Sequence, residues 1–245
     1  METEQEQTPT EVQATSDMFG KEEEVAPKTE YKPAGGDNKP KPLPEFKEVN
    51  VNQDTFSRFT RDYLAYGEAI PENVMDKLNI VLAKIHAKQF TLRAANNRNN
   101  PLEELAIKST DRKEFYLPFK FRDLDSSYKV KVSKVDYKAI SIGMTIKTNA
   151  FPNYTSEKFN NMKDIGKLFT GRDVHQVLGE DLNTPVKFML MYTPKGEESG
   201  DKLDFETVGN AVMLFLLSKA FSIPIYNIAN EESLTKLMAY LDTLE

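Results

Sequence analysis

The sequence predicts an α/β domain: a parallel sheet flanked by helices, with an antiparallel β insertion and an extended N-terminal tail. Three observations carry that expectation. Residues 71–119 alternate between helical and strand patterns with short links, the order that lays crossover helices over a parallel sheet. Residues 129–148 alternate apolar and polar side chains at nearly strict period two, the mark of half-buried strands. All of the formal charge sits in the first fifth of the chain.

The charge asymmetry sets the domain boundary. Residues 1–50 hold 12 Asp and Glu against 6 Lys and Arg, and the rest of the chain holds 26 of each. The first 50 residues also carry 6 of the 13 prolines, including the run Lys39-Pro40-Lys41-Pro42-Leu43-Pro44. Apolar residues there are too sparse to offset the entropy of ordering. Residues 1–50 therefore read as an extended, acidic, Pro-rich tail, and residues 51–245 as the globular domain. Two places break the tail's polarity: Met18-Phe19 ahead of Glu22-Glu23-Glu24, and Leu43-Pro44-Glu45-Phe46. Met18, Phe19, Leu43 and Phe46 are candidate anchors of a short peptide that folds onto a protein partner. The alternative is stray apolar residues in a solvated linker.

Composition excludes several classes. The longest apolar run, Ala211 to Leu217, falls well short of the roughly 18 residues of a membrane span. No cysteine is present, so disulfides, thiolate nucleophiles and Cys-based zinc sites are excluded. Two histidines, His86 and His175, leave little for a His-built metal site, and no metal or cofactor is expected. An acidic tail beside a neutral domain argues against nucleic-acid binding, which needs a basic face to neutralise phosphates. Lys129, Lys131, Lys134 and Lys138 interleave with valines and read as the wet face of a strand. No Walker motif, nucleophile elbow or zincin motif occurs. The opening Met1-Glu2-Thr3-Glu4-Gln5-Glu6 lacks the basic and apolar regions of a secretory signal.

The elements follow in order. Val74, Leu78, Val81, Leu82 and Ile85 form a helical stripe over 71–88, with Pro71 and Glu72 suited to its start. Residues 89–94 read as a strand, 101–108 as a helix opened by Pro101, and 114–119 as a second strand. Val130, Val132, Val135, Tyr137, Ile140, Ile142, Met144 and Ile146 then mark one or two antiparallel strands, an insertion over about 120–150. Residues 156–178 are helical in pattern, broken at Thr170-Gly171. A buried strand is expected over 186–192, a polar loop over 193–204 and a central helix over 207–221. A strand over 223–228 and a helix over 231–244 close a Rossmann-like domain.

The motif order resembles the SLOG superfamily, the Rossmann-like group of Lonely-Guy and DNA-processing-protein-A-like domains, and is closest to its phage-type members. Tyr66-Gly67-Glu68-Ala69-Ile70-Pro71 stands where that pattern has Gly-Ser-Arg-x-x-Pro. Leu92-Arg93-Ala94-Ala95-Asn96-Asn97 stands for Leu-Arg-Ser-Gly-Gly-Ala. Arg172-Asp173-Val174-His175-Gln176-Val177-Leu178-Gly179 resembles Arg-Asn-x-x-x-Val-Leu-Gly. Met191-Tyr192-Thr193-Pro194-Lys195-Gly196 resembles Trp-Thr-Pro-x-Gly, and Phe205-Glu206-Thr207 replaces Gly-Gly-Thr. Ile223-Pro224-Ile225-Tyr226-Asn227-Ile228 resembles the final Ile-Pro-Val-x-Asn-Leu strand, so the resemblance spans about residues 60–230, excluding the insertion.

The resemblance implies a phosphate-binding cleft lined by glycine-rich turns, with Gly67, Arg93, Asn96, Asn97, Thr207 and Gly209 as candidate ligand-binding residues. Those turns need glycine so that backbone N–H groups reach within about 3 Å of the anion. Here Ala95-Asn96 and Phe205-Glu206 replace the glycine pairs, adding bulk and, at Glu206, a like charge. Glu103 and Glu104 stand as catalytic carboxylates or as stabilisers of a helix start, and the latter suits their position. A lone His175 reads as a packing residue, His86 as a surface one, and no catalytic residue is assigned. The asparagines of 96–100 suit a polar turn as well as a ligand contact. Arg172 and Arg93 suit an anion or a local ion pair. The expected function is a non-catalytic binding or structural module, tethered by its tail to a protein partner in an oligomer or assembly. The phage-type resemblance places it in host cytoplasm or virion, without a membrane association. A nucleotide-binding domain, sequestering a nucleotide signal or hydrolysing a nucleoside monophosphate, is the alternative.

Overall fold

The structure, a computed structural model, describes residues 45, 61–67, 69–95, 100–118, 129–132, 136–151, 154–198 and 212–245. In chain order the elements are β1 (Asp62–Gly67), α1 (Glu72–Ala87), β2 (Thr91–Ala94), α2 (Pro101–Ser109), β3 (Lys113–Leu117) and β4 (Lys129–Val132). There follow α3 (Tyr137–Ala150), α4 (Ser156–Asn160), α5 (Asp164–Leu178), β5 (Phe188–Tyr192), α6 (Val212–Ala220), β6 (Ile225–Asn227) and α7 (Glu231–Asp242). The described strands make one six-stranded sheet in the order β4-β3-β2-β1-β5-β6. Every neighbouring pair is parallel. The expected Rossmann-like α/β architecture is thus present.

Side chains along β1 and β5 alternate between two helical layers. Tyr63 and Ala65 of β1, and Phe188 and Leu190 of β5, pack with Leu78, Val81, Leu82 and Ile85 of α1, and with residues of α2 and α7. Leu64, Tyr66, Met189 and Met191 face the other way, onto α3, α5 and α6. Burial on both faces explains why β5 reads as a continuous apolar run rather than an alternating one. At the centre of the first layer the Phe188 ring lies 5.1 Å from Phe90, 5.7 Å from Tyr63 and 5.7 Å from Tyr226.

Residues 129–150 differ from the expected antiparallel insertion. Lys129–Val132 pairs parallel with Glu114–Leu117, extending the main sheet. Tyr137–Ala150 is a helix, started by Asp136, whose Oδ1 accepts from the N–H of Lys138 at 2.8 Å and of Ala139 at 3.3 Å. The eight residues Ala139–Ile146 are all buried. A helix enclosed on nearly every side needs apolar residues all round, so apolar residues at every second position no longer single out a strand.

The helical break also lies elsewhere. Residues 161–163 separate α4 from α5, and Thr170-Gly171 is inside α5. Gly171 is a contact residue: a Cβ there would come within 2.9 Å of Ile140 Cγ1 on α3, and one at Gly143 within 2.3 Å of Thr170 Cγ2. The two glycines let α3 and α5 approach closely. Of the helix expected over 207–221, Val212–Ala220 is described, and the tail expected over 1–50 lies outside the described residues apart from the exposed Glu45. β1 has no counterpart among the elements read from the sequence, and the remaining described elements agree with expectation to within a few residues at their ends.

Candidate functional site

An open parallel sheet forms its crevice at the carboxyl ends of strands where the order reverses direction. Here the reversal falls between β1 and β5, whose last residues, Gly67 and Tyr192, are register partners. Gly67 therefore lies where the resemblance expects a ligand. Its N–H, however, donates to Asn100 Oδ1 at 2.8 Å. The same oxygen accepts the Glu103 N–H at 3.2 Å, and Asn100 Nδ2 donates to the Ala65 carbonyl at 3.1 Å. Asn100 is buried and caps α2, with Pro101 following at a position that has no N–H to satisfy. A Cβ on Gly67 would sit 2.9 Å from Tyr192 Cβ and 3.2 Å from Leu102 Cβ. Close packing of β5 and α2 against the strand thus accounts for glycine here.

The second corner follows β2. The Ala95 N–H donates to Glu103 Oε1 at 2.7 Å. Glu103 is 1% exposed and sits in the first turn of α2, where the helix dipole favours a negative charge. Gln176 Nε2 donates to the Arg93 carbonyl at 2.9 Å and reaches Glu103 Oε1 at 3.4 Å. Arg172 Nη1 reaches the Ala95 carbonyl at 3.4 Å. The chain's own carboxylate thereby takes the Ala95 N–H. Glu104, its neighbour, is exposed, so the two glutamates occupy opposite environments.

A third polar group joins the ends of β5 and β6. Asn227, fully buried, donates from Nδ2 to Thr193 Oγ1 at 2.7 Å and to the Glu197 carbonyl at 2.8 Å. Its Oδ1 accepts from the N–H of Ala229 at 3.1 Å, and its own N–H donates to Ser233 Oγ at 2.9 Å. The Thr193 hydroxyl donates to the Glu197 carboxylate. This network ties the two strand ends to the start of α7.

The cations are also engaged internally. Arg93 is 2% exposed and ion-paired with Asp62, at the opposite end of β1 from Gly67, and its Nη1 reaches the Val177 carbonyl at 3.4 Å. Its guanidinium lies 5.9 Å from the Tyr116 ring centroid, and burial pushes the Tyr116 hydroxyl above the ordinary tyrosine range. Arg172 pairs with Asp173 at 2.7 Å and lies over Phe169. Burial raises the Asp173 carboxyl, opposed by Arg172 and Lys147, and lowers the Lys147 ammonium, which donates to Thr170 Oγ1 at 3.1 Å. His86 is partly buried rather than superficial: its Nε2 lies 2.9 Å from the Tyr63 hydroxyl, and burial lowers its affinity for a proton. Among the described residues, no group of three or more His, Asp and Glu side chains could hold a metal ion.

Of the candidate ligand residues, the structure places Gly67 at the crevice and Arg93 beneath α5, and does not bring them together. Asn96, Asn97, Thr207 and Gly209 lie outside the described residues, as do Phe205, Glu206 and the tail anchors Met18, Phe19, Leu43 and Phe46. Asn100 is the residue whose role the sequence reading missed. Its signal was present: an Asn before Pro101, with Glu103 three positions on, is a helix-start signature. Asn227 carries no comparable local signal.

Strand order, parallel pairing and two covering helical layers define a Rossmann-like α/β domain. Comparison with known proteins finds no matching family model, no matching curated protein and no matching solved structure. Among the described residues no helix is long and apolar enough to cross a membrane.

Proposed function

We propose that the chain is a non-catalytic binding or structural module, a Rossmann-like scaffold of the phage-type SLOG kind that its motif order resembles. Its acidic, Pro-rich residues 1–50 tether it to a protein partner or a virion assembly. One observation carries this reading: at the ends of β1 and β2, the described backbone N–H groups of Gly67 and Ala95 are already bonded within the chain. Gly67 donates to Asn100 and Ala95 to the buried Glu103 carboxylate. A phosphate entering the second corner would meet a like charge in a poorly hydrated setting, which strongly disfavours binding. The composition of the tail supports the tether, since a Pro-rich segment with isolated aromatic anchors suits extended docking along a neighbour.

Titration calorimetry of the full chain against nucleoside monophosphates and cyclic nucleotides tests the closed corners. No heat of binding is expected. Micromolar binding would overturn the reading in favour of nucleotide sequestration or hydrolysis. Removal of residues 1–50 tests the tether: assembly or partner binding should be lost while the domain stays folded, and unchanged assembly would refute it.

A further inference from the structure

Lys147, in the last turn of α3, is partly buried against α5 and has an unusual partner for a lysine held out of water. Its Nζ donates to Thr170 Oγ1 at 3.1 Å, and the Thr170 hydroxyl gives its own hydrogen to the Gly166 carbonyl at 3.0 Å. The nitrogen is therefore met by an uncharged oxygen that only accepts. Among the described residues no carboxylate lies within ion-pair distance of Nζ. Asp173 is the carboxylate whose field reaches it, and that charge is already matched by Arg172 Nε at 2.7 Å. Lys167, buried on the same pair of helices, has what Lys147 lacks: Asp164 at 3.6 Å, with the Asn160 carbonyl at 2.8 Å. The other charged groups on the elements packed against α3 are His175 of α5, paired with Asp136, Glu157 and Lys158 of α4, and Lys219 of α6.

An ammonium taken out of water without an opposite charge is costly, so the uncharged amine is favoured. That amine keeps an N–H for Thr170, and its lone pair stays unused because the Thr170 hydrogen points to Gly166. We propose that Lys147 is a nucleophilic amine, the site at which this chain is acylated by activated acyl compounds of the acyl phosphate class. The Nζ lone pair attacks the acyl carbon, and a nitrogen–carbon bond forms as the carbon–oxygen bond to phosphate breaks. Phosphate leaves with the bonding pair and takes up the proton that the amine gives up. The product is a neutral amide whose remaining N–H still suits Thr170, so acylation removes an unmatched charge from between α3 and α5. Burial, which lowers the proton affinity of Lys147, acts in the same direction.

Mass spectrometry of the full chain during incubation with acetyl phosphate at about pH 7.5, with each lysine followed separately, tests this. Lys147 should be acetylated about tenfold faster than Lys138 and Lys163, which are exposed and keep a well-hydrated charge. Thr170→Asp, checked for folding by circular dichroism, sets a carboxylate against Nζ and should bring Lys147 down to the rate of those two. In Lys147→Arg the fast phase should vanish. Labelling of Lys147 no faster than that of Lys138 and Lys163 in the parent protein, a comparison that needs no variant, would overturn the proposal. A Lys147 rate left unchanged in folded Thr170→Asp would do the same.

Discussion

Replacing Glu103 by alanine tests the closed corner at its centre. The side chain is 1% exposed, accepts the Ala95 N–H at 2.7 Å and sits at the positive start of α2. Truncation leaves a buried N–H without its charged acceptor, a loss of about 1.5–3 kcal/mol. It also removes a favourable charge–dipole interaction of about 0.3–1 kcal/mol. The combined effect is a destabilisation of about 2–4 kcal/mol. With a urea slope of about 2 kcal/mol per molar, the unfolding midpoint should fall by about 1–2 M. Glu103→Gln keeps an acceptor oxygen and should lose about half as much. Glu104→Ala, exposed in the same first turn, should lose only the charge–dipole share, about 0.3–1 kcal/mol. Calorimetry of folded Glu103→Ala with inorganic phosphate supplies the second arm, because weak binding absent from the parent protein is expected once the internal carboxylate is gone. A destabilisation below about 0.5 kcal/mol would refute the assignment of Glu103 as a structural occupant of the corner.

Other perturbations follow from the same geometry. Gly67→Ala places a methyl 2.9 Å from Tyr192 Cβ and should lower the urea midpoint by the equivalent of about 1–3 kcal/mol, since β1, β5 and α2 must move apart. Phe188→Ala empties the centre of the aromatic cluster and should cost about 3–5 kcal/mol by the same assay. Acid should weaken the fold through His86: burial lowers the folded ring's proton affinity, so the unfolded chain binds the extra proton first. That contribution is complete above about pH 6.5 and is lost as pH falls below it, toward the folded ring's lower value. Urea curves of the parent and His86→Gln over this range should converge on acidification; a difference independent of pH would contradict the assignment.

Much of the fold is legible in short stretches. The stripe Val74, Leu78, Val81, Leu82 and Ile85 marks α1 because a helix with one buried face must repeat its apolar residues at helical spacing. Ala139–Ile146 defeats the same logic, because burial on all sides erases the contrast on which periodicity depends. Thr170-Gly171 shows a related limit. A glycine that breaks a helix and a glycine that admits a neighbouring helix look alike until the neighbour, here Ile140, is in place.

The candidate site divides along the same line. The loss of glycine at Ala95-Asn96 and the helix-start pairing of Asn100 with Glu103 are written in consecutive residues. What occupies the corner is a matter of contact across the fold: Gly67 meets Asn100 33 residues away, and Gln176 meets Glu103 73 residues away. His175 and Asp136 come together because α3 packs along α5, a contact that no local pattern encodes. By itself, the sequence determined the parallel α/β class, most of the elements and the uneven distribution of charge, since each depends on neighbouring residues. Only the tertiary structure decided which buried polar groups satisfy one another, because hydrogen-bond partners across a sheet or between helices are chosen by proximity in space and not by order along the chain.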